Sequence, residues 1–209
     1  TSSIFSLIWT WRFKVNFHLK LLCSLFIIIY CQNVYAGPFG LKMGMKLDKI
    51  DSKAKMVAPG MYYVSVPKPH SSFEKYVVNI APKTGLCYIK AIGKDIPTSV
   101  YGIELKSKFN DMKVKLDKAY GKGKTTDKLM PNSIWHEANE WMKGLIKKER
   151  HLFAIWENSS GKNVKGDIVN IAMAAKPSGR SKGYIAIDYT FKNEDKCKKE
   201  ISSQEDGAL

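Results

Sequence analysis

The stretch "FGLKMGMKLDKI", residues 39–50, has a counterpart in "YGIELKSKFNDM", residues 101–112, so that an offset of 62 positions relates the two copies. Each copy begins with an aromatic residue, a glycine and an aliphatic residue. Apolar residues then recur at spacings of four, three and four, a period that places them on one face of an α-helix. They are Met43, Leu47, Ile50 and Ala54 in the first copy and Leu105, Phe109, Met112 and Leu116 in the second. The pattern indicates an internal duplication in which an amphipathic helix opens each half.

Three strand-like segments follow each helix. They cover residues 61–66, 74–81 and 87–93 in the first half and residues 151–157, 167–175 and 183–191 in the second. The last segment alternates between two faces, as a strand does. One face carries Tyr184, Ala186, Asp188 and Thr190, and the other carries Ile185, Ile187, Tyr189 and Phe191. We therefore predict an α+β fold of two related halves, each a helix followed by a three-stranded antiparallel sheet.

The two halves set the predicted boundaries along the chain. A leader occupies residues 1–36, the first half 37–96, the second half 97–193, and a short C-terminal helix with an acidic tail 194–209. The second half also carries an amphipathic helix within an insertion at about 122–150.

The insertion contains "SIWHEANEWMKGLI", residues 133–146, which approaches a metal-site motif. Its His136, Glu137 and Glu140 differ by one residue type from the His-Glu-x-x-His helix of zinc proteases. On a helical wheel, His136 and Glu140 lie opposite the apolar face and beside two lysines, whose positive charge opposes metal binding. We interpret the segment as a packing helix and expect no metal or other cofactor.

Other catalytic signals are weak. Ser71 and Ser72 follow His70 in a predicted loop, but a nucleophile needs a base that a third group orients in space. The chain contains no phosphate-loop or Cys-x-x-Cys motif. Its one Gly-x-Ser-x-Gly match, at residues 179–183, lies in a predicted turn between two strand-like segments, whereas a nucleophile elbow needs a turn from a strand into a helix. We predict that the protein is not an enzyme, and a hydrolytic enzyme using His70 or His136 is the least favoured alternative.

The leader has the features of a secretory signal peptide. It holds Arg12, Lys14 and Lys20, then an apolar run over residues 21–30, and ends in the small-residue pattern of "NVYA". We predict export to the periplasm with cleavage after Ala36. The apolar run is shorter than the roughly 20 residues of a membrane span, but an uncleaved inner-membrane anchor remains an alternative. Because no methionine precedes Met43, the first residues could also come from upstream translation.

The charge balance favours anionic partners. The chain carries 34 Lys and Arg against 19 Asp and Glu, a net charge of +15. Loss of the three basic residues of the leader leaves 31 − 19 = +12. Nearly all of these cations are lysines, whereas base-specific readout of nucleic acid prefers arginine. We expect attraction to an envelope protein or an anionic envelope component, and no nucleic-acid partner.

Two cysteines lie outside the leader, Cys87 and Cys197. In an oxidising compartment such a pair predicts a disulfide, and two buried thiols are the alternative. The pair would close a loop of about 110 residues, which favours a large entropic stabilisation.

Aromatic and basic residues supply the candidate binding surface. The candidates are Tyr62, Tyr63, Trp135, Trp141, Lys143 and Lys147. Trp and Tyr are enriched at binding hot spots, although core packing is the alternative for each. The basic stretch over residues 108–124 interleaves lysines with an apolar helix face, which is typical of a solvated helix or of a contact for an anionic surface.

Several segments of the chain resemble a family of exported Gram-negative proteins to which no activity is assigned. The segments include "GPFGLKMGM", "GLCYIKAIGKDI", "LMPNSIW", "GYIAIDYTFKNEDKC" and the terminal "QEDGAL", and the resemblance covers most of residues 37–209. It implies a periplasmic location. More distantly, a short helix before three strands is similar to the small lipoproteins of the barrel-assembly machinery, and its tandem form is similar to the β-lactamase inhibitor proteins.

These resemblances and the composition lead to two expected functions. The first is a non-enzymatic binding or adaptor module of the cell envelope. The second is a secreted inhibitor of a hydrolase. Since Tyr30 precedes Cys31 where lipoproteins have a small residue, we expect no lipid anchor. The sequence contains no recognisable inhibitory loop, so no contact residue carries over from the inhibitors.

Overall fold

Residues 37–157 and 164–207 are described by a computed structural model of the chain. The predicted signal peptide and its cleavage site after Ala36 lie outside these residues. Within the described ranges, no helix is both long enough and apolar enough to cross a bilayer.

Nine strands and four helices make up the described fold. The strands are β1 (Lys55–Ala58), β2 (Met61–Val64), β3 (Phe73–Ala81), β4 (Gly85–Gly93), β5 (Ile96–Pro97), β6 (Lys124–Leu129), β7 (Arg150–Glu157), β8 (Ile168–Gly179) and β9 (Lys182–Phe191). The helices are α1 (Leu47–Ile50), α2 (Ile103–Tyr120), α3 (Trp141–Ile146) and α4 (Glu194–Asp206), and short 3-10 turns occupy Pro38–Gly40 and Ala138–Glu140. The predicted α+β class is confirmed.

All of the strands belong to one antiparallel sheet in the order β1-β2-β3-β4-β9-β8-β7-β6, with β5 pairing beside β9. Each half therefore contributes a meander of four strands, and the last strands of the two meanders, β4 and β9, meet at the centre. The extra strand in each half is the outermost one. Strand β1 is exposed along its whole length and β6 is polar, so neither has the apolar alternation that marks a strand in sequence.

Helix α2 follows the predicted pattern. Its buried residues are Leu105, Phe109, Met112 and Leu116, which pack with the inner faces of β8 and β9. In the first half, the matching stretch forms only the single turn of α1. Gly40 and Gly44 have φ of +81° and +78°, a left-handed conformation that interrupts a right-handed helix. The four corresponding apolar residues of that stretch still pack against the main core.

Helix α4 lies on the other face of the sheet, where a disulfide fastens it. Cys87 and Cys197 are bonded with an S–S distance of 2.09 Å, which confirms the predicted pairing. Together with Ala81 and the partly buried Ile201, they form a small apolar cluster separate from the main core. The carboxylate of Glu200 also accepts hydrogen bonds from the turn between β3 and β4. Helix α4 therefore covers one end of the face that α2 leaves open.

Candidate binding surface

The His-Glu-x-x-Glu stretch forms a helix cap. Helix α3 begins only at Trp141, and the residues before it make a 3-10 turn. Glu137 and Glu140 form a capping box in which each side chain accepts a hydrogen bond from the other's backbone N–H. Both carboxylates are thereby engaged, and His136 is exposed. Across residues 37–157 and 164–207, no group of three or more His, Cys, Asp or Glu side chains could hold a metal ion.

The two tryptophans of the insertion are packing residues in this structure. Trp141 is 3% exposed, and its indole N–H donates to Asp127 at 3.3 Å. The ammonium of Lys106 lies 4.6 Å from the centroid of its ring. Trp135 is half-buried under Lys143, whose Nζ is 3.8 Å from the ring centroid, a cation–π contact. The exposed parts of this region are its lysines, the outer edge of Trp135 and the apolar side chains of Met130, Ile134 and Ile146.

The two tyrosines of β2 point to opposite faces of the sheet. Tyr62 pairs with Val78 and packs against the main core, where it also lines a cavity of about 490 Å³ beside α1. Tyr63 pairs with Val77 and is 42% exposed on the other face. Strand β2 and helix α3 lie toward opposite ends of the sheet, so the structure does not gather the six candidate residues into one surface.

His70 forms hydrogen bonds with residues close to it in the sequence. Its backbone N–H donates to the hydroxyl of Tyr76 at 2.9 Å, and its Nδ1 accepts from the backbone N–H of Ser72 at 3.2 Å. Partial burial and the nearby charge of Lys115 lower the pKa of the imidazole. Because Nδ1 already accepts a hydrogen bond from the backbone N–H of Ser72, this ring nitrogen is not available as a base.

The face of the sheet opposite α2 carries a second set of side chains, which strand register aligns in rows. One row is Tyr63, Val77, Lys90, Asp188, Ala172, Ile155 and Lys124, and the next is Lys75, Ile92, Ala186, Ala174, Phe153 and Thr126. We call these two rows, with the bordering Lys55, Lys128 and Lys176, the open face. The alternation predicted for residues 183–191 is confirmed here, because Ala186 and Asp188 lie on this face and Ile185 and Ile187 face the core.

The centre of the open face is apolar with small residues between larger ones. Ala172 and Ala174 lie between Phe153 and Ile155 on one side and Ile92 on the other. All five of these side chains are half-buried. Large side chains flanking alanines leave a shallow trough that a protruding apolar group can enter. In the sequence, this trough is signalled by alanines at alternate positions of β8 and β9. The alternation assigns each residue to a face of the sheet, but it does not show which residues are neighbours on adjacent strands.

One polar group interrupts this apolar centre. The carboxylate of Asp188 accepts a hydrogen bond from the hydroxyl of Tyr88 at 2.6 Å and lies 3.3 Å from the ammonium of Lys90. Burial and the charge of Asp188 raise the pKa of Tyr88. The phenol therefore stays protonated and donates at all physiological pH values. The three side chains hold one another in place.

Lysines surround the apolar centre. Lys55, Lys75, Lys124, Lys128 and Lys176 lie on the open face or at its borders, and the carboxylates on the same side are Asp188 and Glu157. Of these lysines, Lys75 is paired with the neighbouring Glu74 at 3.3 Å. An apolar centre with a charged rim is the anatomy of a protein interface.

Comparisons with family models, curated proteins and solved structures find no match for this chain. The open face draws residues from both halves of the chain, which meet at the β4–β9 pair.

Proposed function

We propose that the protein is an exported, non-enzymatic binding module of the cell envelope, and that its open face binds a folded protein partner. The observation that carries the proposal is a broad sheet face with a half-exposed apolar centre and a lysine rim. Only one end of this face is covered by a described helix, α4. Contiguous apolar surface with a polar rim marks sites of protein interaction.

The dimensions of the open face suit a partner of protein size. From β2 to β6 it crosses seven strands, or roughly 29 Å at about 4.8 Å per strand spacing. A standard interface covers about 800 Å² on each partner, which corresponds to a circle roughly 32 Å across. A small ligand would need a deeper pocket than this trough.

The charges define the chemistry of the partner. Lysines outnumber carboxylates on the open face, so we expect an apolar protrusion ringed by Asp and Glu on the partner. Nucleic acid is disfavoured because only three arginines occur in the chain, and Arg150 is bound to Asp127 at 2.9 Å.

Two features support an exported location. The leader has the pattern of a secretory signal, and the Cys87–Cys197 disulfide is of a kind that persists in oxidising compartments. Within the envelope of a Gram-negative cell, this location is the periplasm.

A secreted inhibitor of a hydrolase is the second candidate. It is supported by the open face, which extends across two helix-plus-sheet halves. The tandem inhibitor proteins, which the sequence distantly resembles, have the same two-half architecture. The identity of the partner distinguishes it from an adaptor, since an inhibitor forms a tight stoichiometric complex that abolishes the turnover of one enzyme.

A photo-crosslinking amino acid at Phe153 tests the proposal in intact cells. Ile103, which is 59% exposed on α2, serves as the matched control position. We expect one dominant crosslinked partner from position 153, absent from position 103, and lost when Ala174→Asp places a charge in the trough. Equal crosslinking from both positions, or no partner from position 153, would overturn the assignment of the open face.

A further inference from the structure

A second cavity lies on the helical side of the sheet, away from the open face. It has a volume of about 240 Å³ and lies between α2 and the adjoining ends of β3, β4 and β9. Its floor is apolar, formed by Phe73, Met112 and Ile185 from the main core. Its mouth is formed by the exposed side chains of Lys94, Lys108 and Lys115.

The sequence of α2 explains why this cavity is not filled. The apolar stripe of α2 passes Met112, and the neighbouring positions toward the cavity are Lys108, Asp111 and Lys115. These side chains keep their charged ends in water and lay only their stems along the apolar wall. The core therefore has no apolar side chain to close the space beside Met112.

The mouth of the cavity carries excess positive charge. Asp111 is the one lining carboxylate there, and it is paired with Lys108 at 3.9 Å. Among the described residues, no carboxylate lies within 4.0 Å of the ammonium of Lys94 or of Lys115. The charge of Lys115 also acts on the imidazole of His70. Two lysines are thus available to an anion at the entrance of an apolar cavity.

We propose that this cavity binds a single-chain anionic amphiphile. The apolar chain lies on Phe73, Met112 and Ile185, and the phosphate or carboxylate headgroup pairs with Lys94 and Lys115. Lysine suits such a headgroup because a compact ammonium on a flexible stem accepts many anion geometries. The volume is slightly below the roughly 300 to 1,000 Å³ of pockets that enclose a whole drug-sized ligand. The cavity therefore takes the first part of one acyl chain and leaves the rest outside.

Titration with dodecyl phosphate, laurate and the neutral dodecyl maltoside tests this site, each below its micellar concentration. Binding is followed by amide chemical shifts of the purified protein from residue 37 onward. We expect both anions to bind and to shift the amides of Met112 and Ile185, and the maltoside to leave these amides unchanged. Equal shifts with the neutral detergent, or no shift with either anion, would overturn the proposal.

Charge-matched variants separate this site from general attraction to a basic protein. Lys94→Gln with Lys115→Gln removes the two headgroup partners, and Lys196→Gln with Lys199→Gln removes the same charge from exposed positions of α4 on the other side of the sheet. The first pair should weaken binding by at least about tenfold, and the second by less than about twofold because exposed distant charges are screened. Equal weakening in both would contradict a local site.

The lipid that copurifies with the protein identifies the natural amphiphile. Mass spectrometry of the extracted lipid separates a fatty acid from a lysophospholipid, and the relative affinities of laurate and dodecyl phosphate should agree with it. Because the cavity and the open face lie on opposite sides of the sheet, the crosslinking at Phe153 and the amphiphile titration can each fail without the other.

Discussion

Removing the disulfide should destabilise the protein strongly without changing its fold. Cys87 and Cys197 are separated by 110 positions. For a loop of this length the chain-entropy relation predicts about 4.8 kcal/mol of stabilisation at 25 °C. The replacement Cys87→Ala with Cys197→Ala leaves the other contacts of α4 in place, namely the packing of Ile201 and the hydrogen bonds of Glu200. The loss should therefore lie in the denatured ensemble rather than in the docking of α4.

Urea unfolding followed by tryptophan fluorescence measures this loss. With a slope of about 2 to 3 kcal/mol per molar urea for a domain of this size, the midpoint should fall by roughly 1.6 to 2.4 M. The wild-type protein treated with a phosphine reductant is the matched control. Its urea midpoint should equal that of the double variant. A loss below about 1 kcal/mol would refute the entropic reasoning. A non-reduced intact mass that corresponds to two free thiols would refute the bond itself.

Three further predictions concern single side chains. Gly102→Ala should cost about 2 to 4 kcal/mol in thermal unfolding, because Gly102 has φ +67° and an added Cβ would lie 2.2 Å from the ring of Trp141. Trp156→Phe should cost about 1 to 3 kcal/mol in urea unfolding, because the buried indole N–H donates to Asp117 at 3.1 Å. Glu200→Gln should lower the urea midpoint at pH 7 and should match wild type at pH 2, because backbone N–H donors lower the pKa of Glu200.

Two of these predictions have a comparison that isolates their cause. Gly44→Ala tests left-handed strain without a clash, since Gly44 has φ +78° and the nearest described atom to an added Cβ would be the carbonyl oxygen of Thr84 at 3.8 Å. An equal loss at both glycines would exclude the clash with the ring. For Glu200, the depressed pKa means that the stabilisation is present above the ordinary carboxyl value of 4.5 and is lost as pH falls through the folded-state value. A difference between variant and wild type that persists at pH 2 would contradict this linkage.

The predictable parts of the fold are those whose sequence pattern lies within a single helix or strand. The spacing in α2 and the alternation in β9 each report burial on one face of a single segment, and both are confirmed. Cys87 and Cys197 could be paired from the sequence because only two cysteines lie outside the leader. In each case a local pattern or a count was sufficient.

The parts that were missed depend on competition between local effects. The apolar spacing favours a longer first helix, but the left-handed Gly44 lies before its start and the extended backbone of Asp51 ends it after Ile50. Glu137 and Glu140 form a capping box in the turn before α3, so that the helix begins only at Trp141 and His136 lies outside it. Strand β6 has no apolar alternation, because an edge strand that is largely exposed does not need one.

The candidate site was harder to predict because its members meet only through tertiary structure. Trp141 and Tyr63 look alike in sequence as exposed-aromatic candidates, but one is 3% exposed in the core and the other is 42% exposed on the open face. The alanines of the trough, Ala172 and Ala174, have no chemistry of their own. Their role follows from the larger Phe153 beside them on the next strand.

The position of α4 explains why the two halves of the sheet do not present equivalent surfaces on the open face. The central pair β4–β9 brings Asp188 from the second half to Lys90 from the first, so the polar centre of the open face requires both halves. After β4 the chain continues to α2, which returns to the helical side of the sheet. After β9 it continues to α4, which crosses to the opposite face and packs over β3 and β4. The disulfide holds α4 over the first half, so that no described helix covers the trough of the second half.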